Sequence, residues 1–465
     1  MQVATRAEQR RDAAVDEGSL TGASGLEVAA RLRSGELRCA EVLEHYVSVI
    51  ERLDPQLNAF TDRTLERARR QARAAQARID RGDPDALPPF AGVPFAIKDC
   101  DPVLGTFTRV GSRAFRYVIA PFDAPSVRRL RRGGFVLTGK TACSELTLMP
   151  VTEPDIHPPT RNPWSPAHSS GGSSGGAAAA VASGMLPLAH ATDGGGSIRI
   201  PAAFCHLFGF KSSRALPNFY EKMDPLHMAS VGAVTHTVED AAAVYDVLAG
   251  EAVTRPGLDE APAGPLRVGL LLESPLTEVD PQIAQAAQRV AATLAQMGHH
   301  VEEVSRIDGS LEEFLPIYQA LAARPPVLSE RVLQPVTRWL RDPGKSVSAA
   351  QARARKDDLE RRILDWFGDL DVLVTPTVGQ LAPRVGQWRE LPPGEQFARA
   401  ATYGAFTAPF NLSGQPAATL PVGLAPDGRP IGAQVVGRSR GDAALLRVCR
   451  ALERALPWRH RRAAA

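Results

Sequence analysis

Gly171-Gly172-Ser173-Ser174-Gly175-Gly176-Ala177-Ala178-Ala179-Ala180-Val181-Ala182, followed shortly by Thr192-Asp193-Gly194-Gly195-Gly196-Ser197-Ile198-Arg199, is the stretch on which the reading of this chain turns. Taken alone, a Gly/Ser hexapeptide has the composition of a flexible linker. The alanine run behind it argues otherwise, because a linker has no use for a strong helix former. The glycines are expected to form a loop feeding a helix N-terminus, where backbone N–H groups are free to bind an anion. In the second island, three consecutive glycines ahead of a serine permit tight backbone with positive φ. Such backbone can aim several N–H groups at one point, as an oxyanion hole requires. Ser197 would then hold its hydroxyl where Gly194, Gly195 and Gly196 supply the donors. A phosphate-binding loop or a structural turn is the competing reading. Neither G-x-x-x-x-G-K-[ST] nor G-x-G-x-x-G is completed here, so a nucleotide site fits poorly.

Outward from these islands, strands and helices alternate. Ser24-Gly25-Leu26-Glu27 has capping-box spacing and opens an amphipathic helix; helices over 42–53 and 64–79 follow. Gly92-Val93-Pro94-Phe95-Ala96-Ile97-Lys98-Asp99 contains a short apolar run, read as a buried strand ending at Lys98. A helix over 126–132 and a strand over 135–138 come next. Farther on, 266–272, 282–297 and 301–304 read as strand, helix, strand, and 371–375 as a strand stopped by Pro376. An amphipathic helix over 445–456 closes the chain. The alternation predicts an α/β fold with a largely parallel, buried sheet. Residues 1–20 are expected to be a flexible polar leader and 21–460 a single domain.

Bulk properties exclude several classes. The chain has 465 residues, and its 54 basic and 51 acidic residues leave a net charge of +3. That balance gives no overall footprint for nucleic acid or an anionic membrane. The run Arg128-Arg129-Leu130-Arg131-Arg132 reads as a solvated helix face. Cys39, Cys100, Cys143, Cys205 and Cys449 are scattered, odd in number and never in CxxC spacing. Neither a disulfide framework nor a zinc site is expected, and a cytoplasmic setting is the default. The start lacks the apolar core of a signal peptide. The apolar stretch 177–191 is broken by Ser, Gly, Pro and His and is shorter than the ~20 residues of a membrane helix.

From about Leu26 to Trp458 the sequence resembles the amidase signature family. The resemblance is carried by Asn162-Pro163-Trp164, both islands and Pro201-Ala202, by the run ending Lys98-Asp99, and by Gly139-Lys140-Thr141. Asn411-Leu412-Ser413-Gly414-Gln415-Pro416-Ala417 and Pro430-Ile431-Gly432-Ala433-Gln434 complete it. It implies an α/β amidase-signature fold, a large twisted mixed sheet surrounded by helices. It also implies hydrolysis of a carboxamide through an acyl-enzyme, with no cofactor or metal. Matched position by position, it puts the catalytic lysine on Lys98, a bridging serine on Ser173 and the nucleophile on Ser197, with a cis peptide at the bridging serine. The separations are 75 and then 24 residues. The chemistry agrees, since a serine hydroxyl needs a base and neither island holds a histidine. A lysine can serve only when neutral, a state that burial favours.

Asp193 and Arg199 are read as shaping the loop, Ser174 and Thr192 as supporting residues, and His168 and His206 as packed or surface side chains. The segment Cys205 to Ala215 departs from the family pattern, with Ser212 for a proline and Ala215 for a glycine, and is expected to alter substrate shape. Pocket lining is expected from Thr147-Leu148-Met149, with Thr147 and Met149 as substrate-binding residues, and from 218–223. Their aromatic and methionine content suggests an apolar acyl or aryl group, core packing being the alternative. The expected partner is a small-molecule amide, with no nucleic acid and no membrane; a homodimer is left open. Two rival functions remain. One is an acyltransferase or amide synthase using the same acyl-serine. The other is the glutaminase subunit of an amidotransferase, a branch that carries Tyr where this chain has Arg214.

Overall fold

The computed structural model describes residues 20–82, 87–214, 224–459 and 463; most of the leader and the segment 215–223 lie outside them. Ser24 caps α1 (Gly25–Arg33) with a complete capping box. Its Oγ accepts the Glu27 N–H at 3.1 Å and the Glu27 carboxylate accepts the Ser24 N–H at 2.8 Å. Next, α2 (Cys39–Leu57) buries Val42, Leu43, Tyr46, Val47 and Ile50, and Asn58 in the left-handed region ends it. Then come β1 (Phe60–Arg63), α3 (Leu65–Arg81), β2 (Pro94–Lys98), α4 (Pro125–Arg132) and β3 (Val136–Thr141). The three strands form a sheet in the order β1-β3-β2, with β2 parallel to β3. Every residue of β2 is buried, which is why the sequence there is apolar without alternation.

A two-stranded ribbon, β4 (Arg161–Asn162) with β5 (Ser165–Ser169), leads through the glycine loop into α5 (Gly175–Ala182). After β6 (Leu188–Asp193), α6 (Arg199–Phe204), β7 (Phe208–Lys211) and β8 (Ser230–Thr235) follow α7 (Val238–Ala249), β9 (Arg267–Leu270), α8 (Pro281–Gln296) and β10 (His300–Glu303). Three helices, α9 (Leu311–Ala323), α10 (Pro335–Gly344) and α11 (Ala349–Phe367), precede β11 (Val372–Pro376). The chain finishes with α12 (Pro393–Ala401), α13 (Pro409–Leu412), β12 (Ala417–Leu424), β13 (Pro430–Gly437) and α14 (Asp442–Ala455).

Eight strands form the main sheet in the order β10-β9-β11-β13-β12-β7-β8-β6. Only β10 with β9 and β9 with β11 run parallel; the other pairings are antiparallel. The sheet is therefore mixed rather than largely parallel. Apolar runs report that helices cover a strand on both faces, and they carry no information about direction. On one side, α8 and α14 pack through Val290, Leu294 and Leu446 against Val435. Elsewhere the alanines of α5 pack with Ile198, Ala202 and Leu207. Pro376 does not stop β11 but is its last paired residue, opposite Ala433. Among the described residues no helix is long and apolar enough to cross a membrane.

Candidate active site

The end of β2 lies against β6, where the Lys98 N–H donates to Nδ1 of His190 at 3.2 Å. Lys98 is fully buried. Its Nζ stands 2.7 Å from Ser173 Oγ, 2.9 Å from Thr192 Oγ1 and 3.5 Å from the Thr192 carbonyl. All three partners are uncharged oxygens. The Gly172–Ser173 peptide is cis. Ser174 Oγ donates to the Thr192 carbonyl at 3.2 Å, fastening the glycine loop to β6.

That loop is no linker. A Cβ at Gly176 would meet the Ala142 backbone nitrogen at 2.4 Å, and one at Gly171 would meet Pro201 Cα at 2.7 Å, so both glycines are there for close packing. Nor are the first N–H groups of α5 available to an anion. Gly175 donates to Thr152 Oγ1 at 3.1 Å and Gly176 to the Ala142 carbonyl at 3.1 Å. The expected anion-binding helix end is thus occupied by protein.

The second island winds around a buried carboxylate. Asp193 accepts the N–H groups of Gly196 at 2.7 Å and Ile198 at 3.1 Å. Arg199, itself fully buried, grips it with Nε at 2.9 Å and Nη2 at 2.9 Å. Burial alone would raise the Asp193 pKa, but the Arg199 guanidinium outweighs it and holds the carboxyl well below the usual carboxylate range. Arg199 is held in turn by Gln434 Oε1 at 2.7 Å and Asn411 Oδ1 at 2.6 Å. Of the three glycines only Gly196 has positive φ, and a Cβ there would stand 2.3 Å from Thr407 Oγ1. Gly194 and Gly195 face open space instead. Their N–H groups and that of Ser197 meet no acceptor among the described residues, whereas the Gly196 N–H is taken by Asp193. The N–H groups left over on the cavity side are thus those of Gly194, Gly195 and Ser197, while that of Gly196, also expected as a donor, is spent on Asp193.

Ser197 is half-buried and opens, with Ser173, Gly194 and Gly195, on one cavity of about 530 Å³. Most of the remaining lining is apolar, including Phe115, Met149, Ile200, Phe314, Phe397 and Phe406. Val110, Leu146 and Thr147 line it in the left-handed region, with φ of 50°, 49° and 61°. For β-branched Val110 and Thr147 that backbone is strained, and strain of this kind collects at ligand sites.

Beside this site lies a second polar cluster. His190 is fully buried, with Nε2 3.4 Å from Asp101 Oδ2. Burial depresses its pKa to about 4, so the approach to Asp101 is that of a neutral ring and not an ion pair. Lys140 Nζ meets Asp99 Oδ1 at 3.2 Å.

A family model, described as Amidase, matches residues 41–446. This chain belongs to the amidase family. The 6-aminohexanoate-cyclic-dimer hydrolase of Paenarthrobacter ureafaciens is 34% identical to it, covering 93% of this chain and 94% of that one. A solved structure of 6-aminohexanoate cyclic dimer hydrolase superposes with a TM-score of 0.86 at 32% identity, covering 97% and 99%. The crystal structure of a bacterial aryl acylamidase of the amidase signature family superposes with a TM-score of 0.83 at 27% identity, covering 94% and 97%. The chain is thus an amide-bond hydrolase, similar to free-standing bacterial amidases.

Within this amidase, the structure brings Lys98, Ser173, Ser197, Thr147 and Met149 to one place. His206 packs edge-on against Trp164, and His168 meets Ser165 Oγ at 2.8 Å, so both are packing residues. Cys205 to Arg214 contribute nothing to the cavity lining among the described residues, so the unusual segment does not shape it there. Arg214 instead pairs with Glu360 at 2.7 Å and donates to the His227 carbonyl at 2.9 Å. Residues 218–223 lie outside the described residues. Sequence reading undervalued Thr192, whose hydroxyl touches the Lys98 amine. It missed Cys100, on the cavity wall 3.8 Å from Thr192 Oγ1. It also missed Phe314 and Phe397, which arrive from α9 and α12 and carry no local signal beyond helix periodicity.

Proposed function

We propose that this amidase hydrolyses the C–N bond of an uncharged carboxamide through an acyl-enzyme on Ser197, with Ser173 and Lys98 as the proton relay. The observation that carries the reading is the 2.7 Å contact between the buried Lys98 amine and Ser173 Oγ, with Ser173 and Ser197 on one cavity. Ser197 Oγ attacks the amide carbon and yields its proton to Ser173, whose own proton passes to the Lys98 amine. The negative charge that develops on the carbonyl oxygen is received by the N–H groups of Gly194, Gly195 and Ser197. As the tetrahedral adduct collapses, the C–N bond breaks and the relay returns a proton to the leaving amine. Water then enters by the same route, loses a proton to the relay and releases the acid. Thr192 holds the Lys98 amine, while Asp193 and Arg199 hold the loop and do not react.

The apolar lining, Met149 included, supports an aliphatic or aryl group on the substrate, with Thr147 beside it as a further expected substrate contact. Two similar proteins, a 6-aminohexanoate-cyclic-dimer hydrolase and a bacterial aryl acylamidase, are named for substrates of the same character. We take 21–460 as one domain and the setting as cytoplasmic, where buried thiols such as Cys143 and Cys449 stay reduced.

The test is a fluorophosphonate probe and a panel of apolar amides and esters offered to the purified chain. Labelling at Ser197 and turnover without a second subunit are expected. An unlabelled Ser197 would remove the nucleophile assignment. Products captured by an added amine in preference to water would make the chain an acyltransferase instead.

A further inference from the structure

Nine large apolar side chains are exposed among the described residues, and five of them, Leu104, Tyr117, Val118, Ile119 and Phe122, lie between 104 and 122. The stretch is ordered by its own backbone. Gly105 N–H donates to the Ala120 carbonyl at 2.8 Å, Thr108 to Val118 at 2.9 Å and Ala120 to Thr106 at 2.9 Å, which sets Phe107 opposite Ile119. Thr108, Val110 and Phe115 line the active-site cavity, and Val118 and Phe122 both line it and reach solvent. The apolar surface is therefore continuous from the cavity to the outside. Pro325 and Pro326 line the same cavity, and just beyond them stands Leu328, fully exposed.

Charge along this stretch of chain is one-sided. Residues 102–132 contain seven arginines and one acidic residue, Asp123, in a chain whose total is only +3. Arg113, Arg116, Arg128 and Arg132 are exposed. The Arg116 guanidinium lies 5.7 Å from the centre of the Tyr117 ring, Arg67 donates to the Leu104 carbonyl and Arg128 to that of Asp123. Apolar tips thus stand among guanidinium groups. A second copy of the chain would bring like charges together across a two-fold contact. Nucleic acid would use the arginines and leave the aliphatic tips in water. An anionic bilayer surface takes both, with tips in the headgroup region and arginines on the phosphates.

We propose that the 104–122 ribbon seats this enzyme on an anionic lipid surface with the cavity mouth toward it, so that apolar amides enter from the lipid. The seating does not depend on the function proposed above; the entry of amides does. The net charge of the whole chain conceals this patch, which is why the sequence reading expected no membrane.

The test is co-sedimentation of the full chain with vesicles of phosphatidylcholine alone or mixed with phosphatidylglycerol, at low and high salt. Binding about tenfold tighter to the phosphatidylglycerol vesicles, lost at high salt, is expected. The variant Arg113→Glu/Arg116→Glu/Arg128→Glu should lose about fivefold per arginine. Leu104→Ser/Tyr117→Ser/Ile119→Ser, none of them lining the cavity, should also weaken binding. Both variants should turn over a short water-soluble amide as the parent does, so failure of the seating is separable from failure of the proposed chemistry. Equal binding to both vesicles, or none to either, overturns the proposal. So does a lipid-independent dimer in sedimentation velocity that the apolar variant dissolves.

Discussion

Lys98 and Lys140 sit on adjacent parallel strands, β2 and β3, where Ile97 is paired with Lys140 and Lys98 with Thr141. Both side chains are buried, at 0% and 1% exposure. Lys140 Nζ faces the Asp99 carboxylate at 3.2 Å and donates to the carbonyls of Asp101 at 2.9 Å and Phe107 at 3.2 Å. Lys98 Nζ faces two hydroxyls and one carbonyl. The carboxylate and two carbonyls around Lys140 fix its side chain in place, and removing it would leave the buried Asp99 without its partner. Lys98 has no carboxylate partner; it meets only hydroxyls and a carbonyl, the kind of groups a proton relay uses. Side chain, strand position and burial are alike; the partner set is what differs, and it supports the proposed division between a framework lysine and a relay lysine.

Ser197→Ala removes the proposed nucleophile and should lower kcat by roughly 10⁵-fold or more. Steady-state hydrolysis of any amide the wild type accepts measures it; a variant within about tenfold of wild type would sink the mechanism. Lys98→Ala should cost roughly 10³–10⁵ in kcat while the unfolding midpoint in urea moves little. Lys140→Met should do the reverse: a destabilisation of about 3–5 kcal/mol, because Asp99 is left buried without its counter-charge. If Lys140→Met kept its stability and lost only turnover, the division of labour drawn here would be wrong.

His190 sharpens the same comparison through pH. Its folded-state pKa, depressed by burial to about 4 against an ordinary 6.5, means that the unfolded chain binds a proton between those values that the native state refuses. Stability therefore falls as pH drops through that window, by about 3 kcal/mol from this residue alone. His190→Gln, which keeps an acceptor for the Lys98 N–H, should show a smaller fall between pH 7 and pH 4 than wild type. Parallel pH profiles for the two proteins would contradict the assignment. Smallest of all, Thr192→Val deletes one hydrogen bond to the Lys98 amine and should lower kcat about tenfold with KM nearly unchanged. A change confined to KM would mean that Thr192 touches substrate instead.

Much of this was legible before any coordinates. The capping box at Ser24, the buried strand ending at Lys98 and the two glycine islands are local patterns, and local sterics and burial write such patterns directly into sequence. Resemblance carried the assignments of Lys98, Ser173 and Ser197 that composition could not make. The alternation of elements misled on strand direction, because covered strands are apolar whichever way they run, whereas the resemblance implied the mixed sheet that is found.

What only the tertiary structure decided was which polar groups are spent and which are left over. Three glycines before Ser197 promised three donors, but the fold turns Asp193 back on Gly196 and leaves Gly194, Gly195 and Ser197 to face the cavity. The helix end behind GGSSGG promised an anion site, and Thr152 and Ala142 fill it. Met149 could be marked from sequence, whereas Phe314 and Phe397 come from helices far along the chain. A hydrogen bond is satisfied by whichever partner the fold brings within reach, often across more than a hundred residues, as Arg199 is by Asn411 and Gln434. Sequence by itself determined the chemical groups this amidase can bring to bear; the packing of distant segments determined which of them remain available to a substrate.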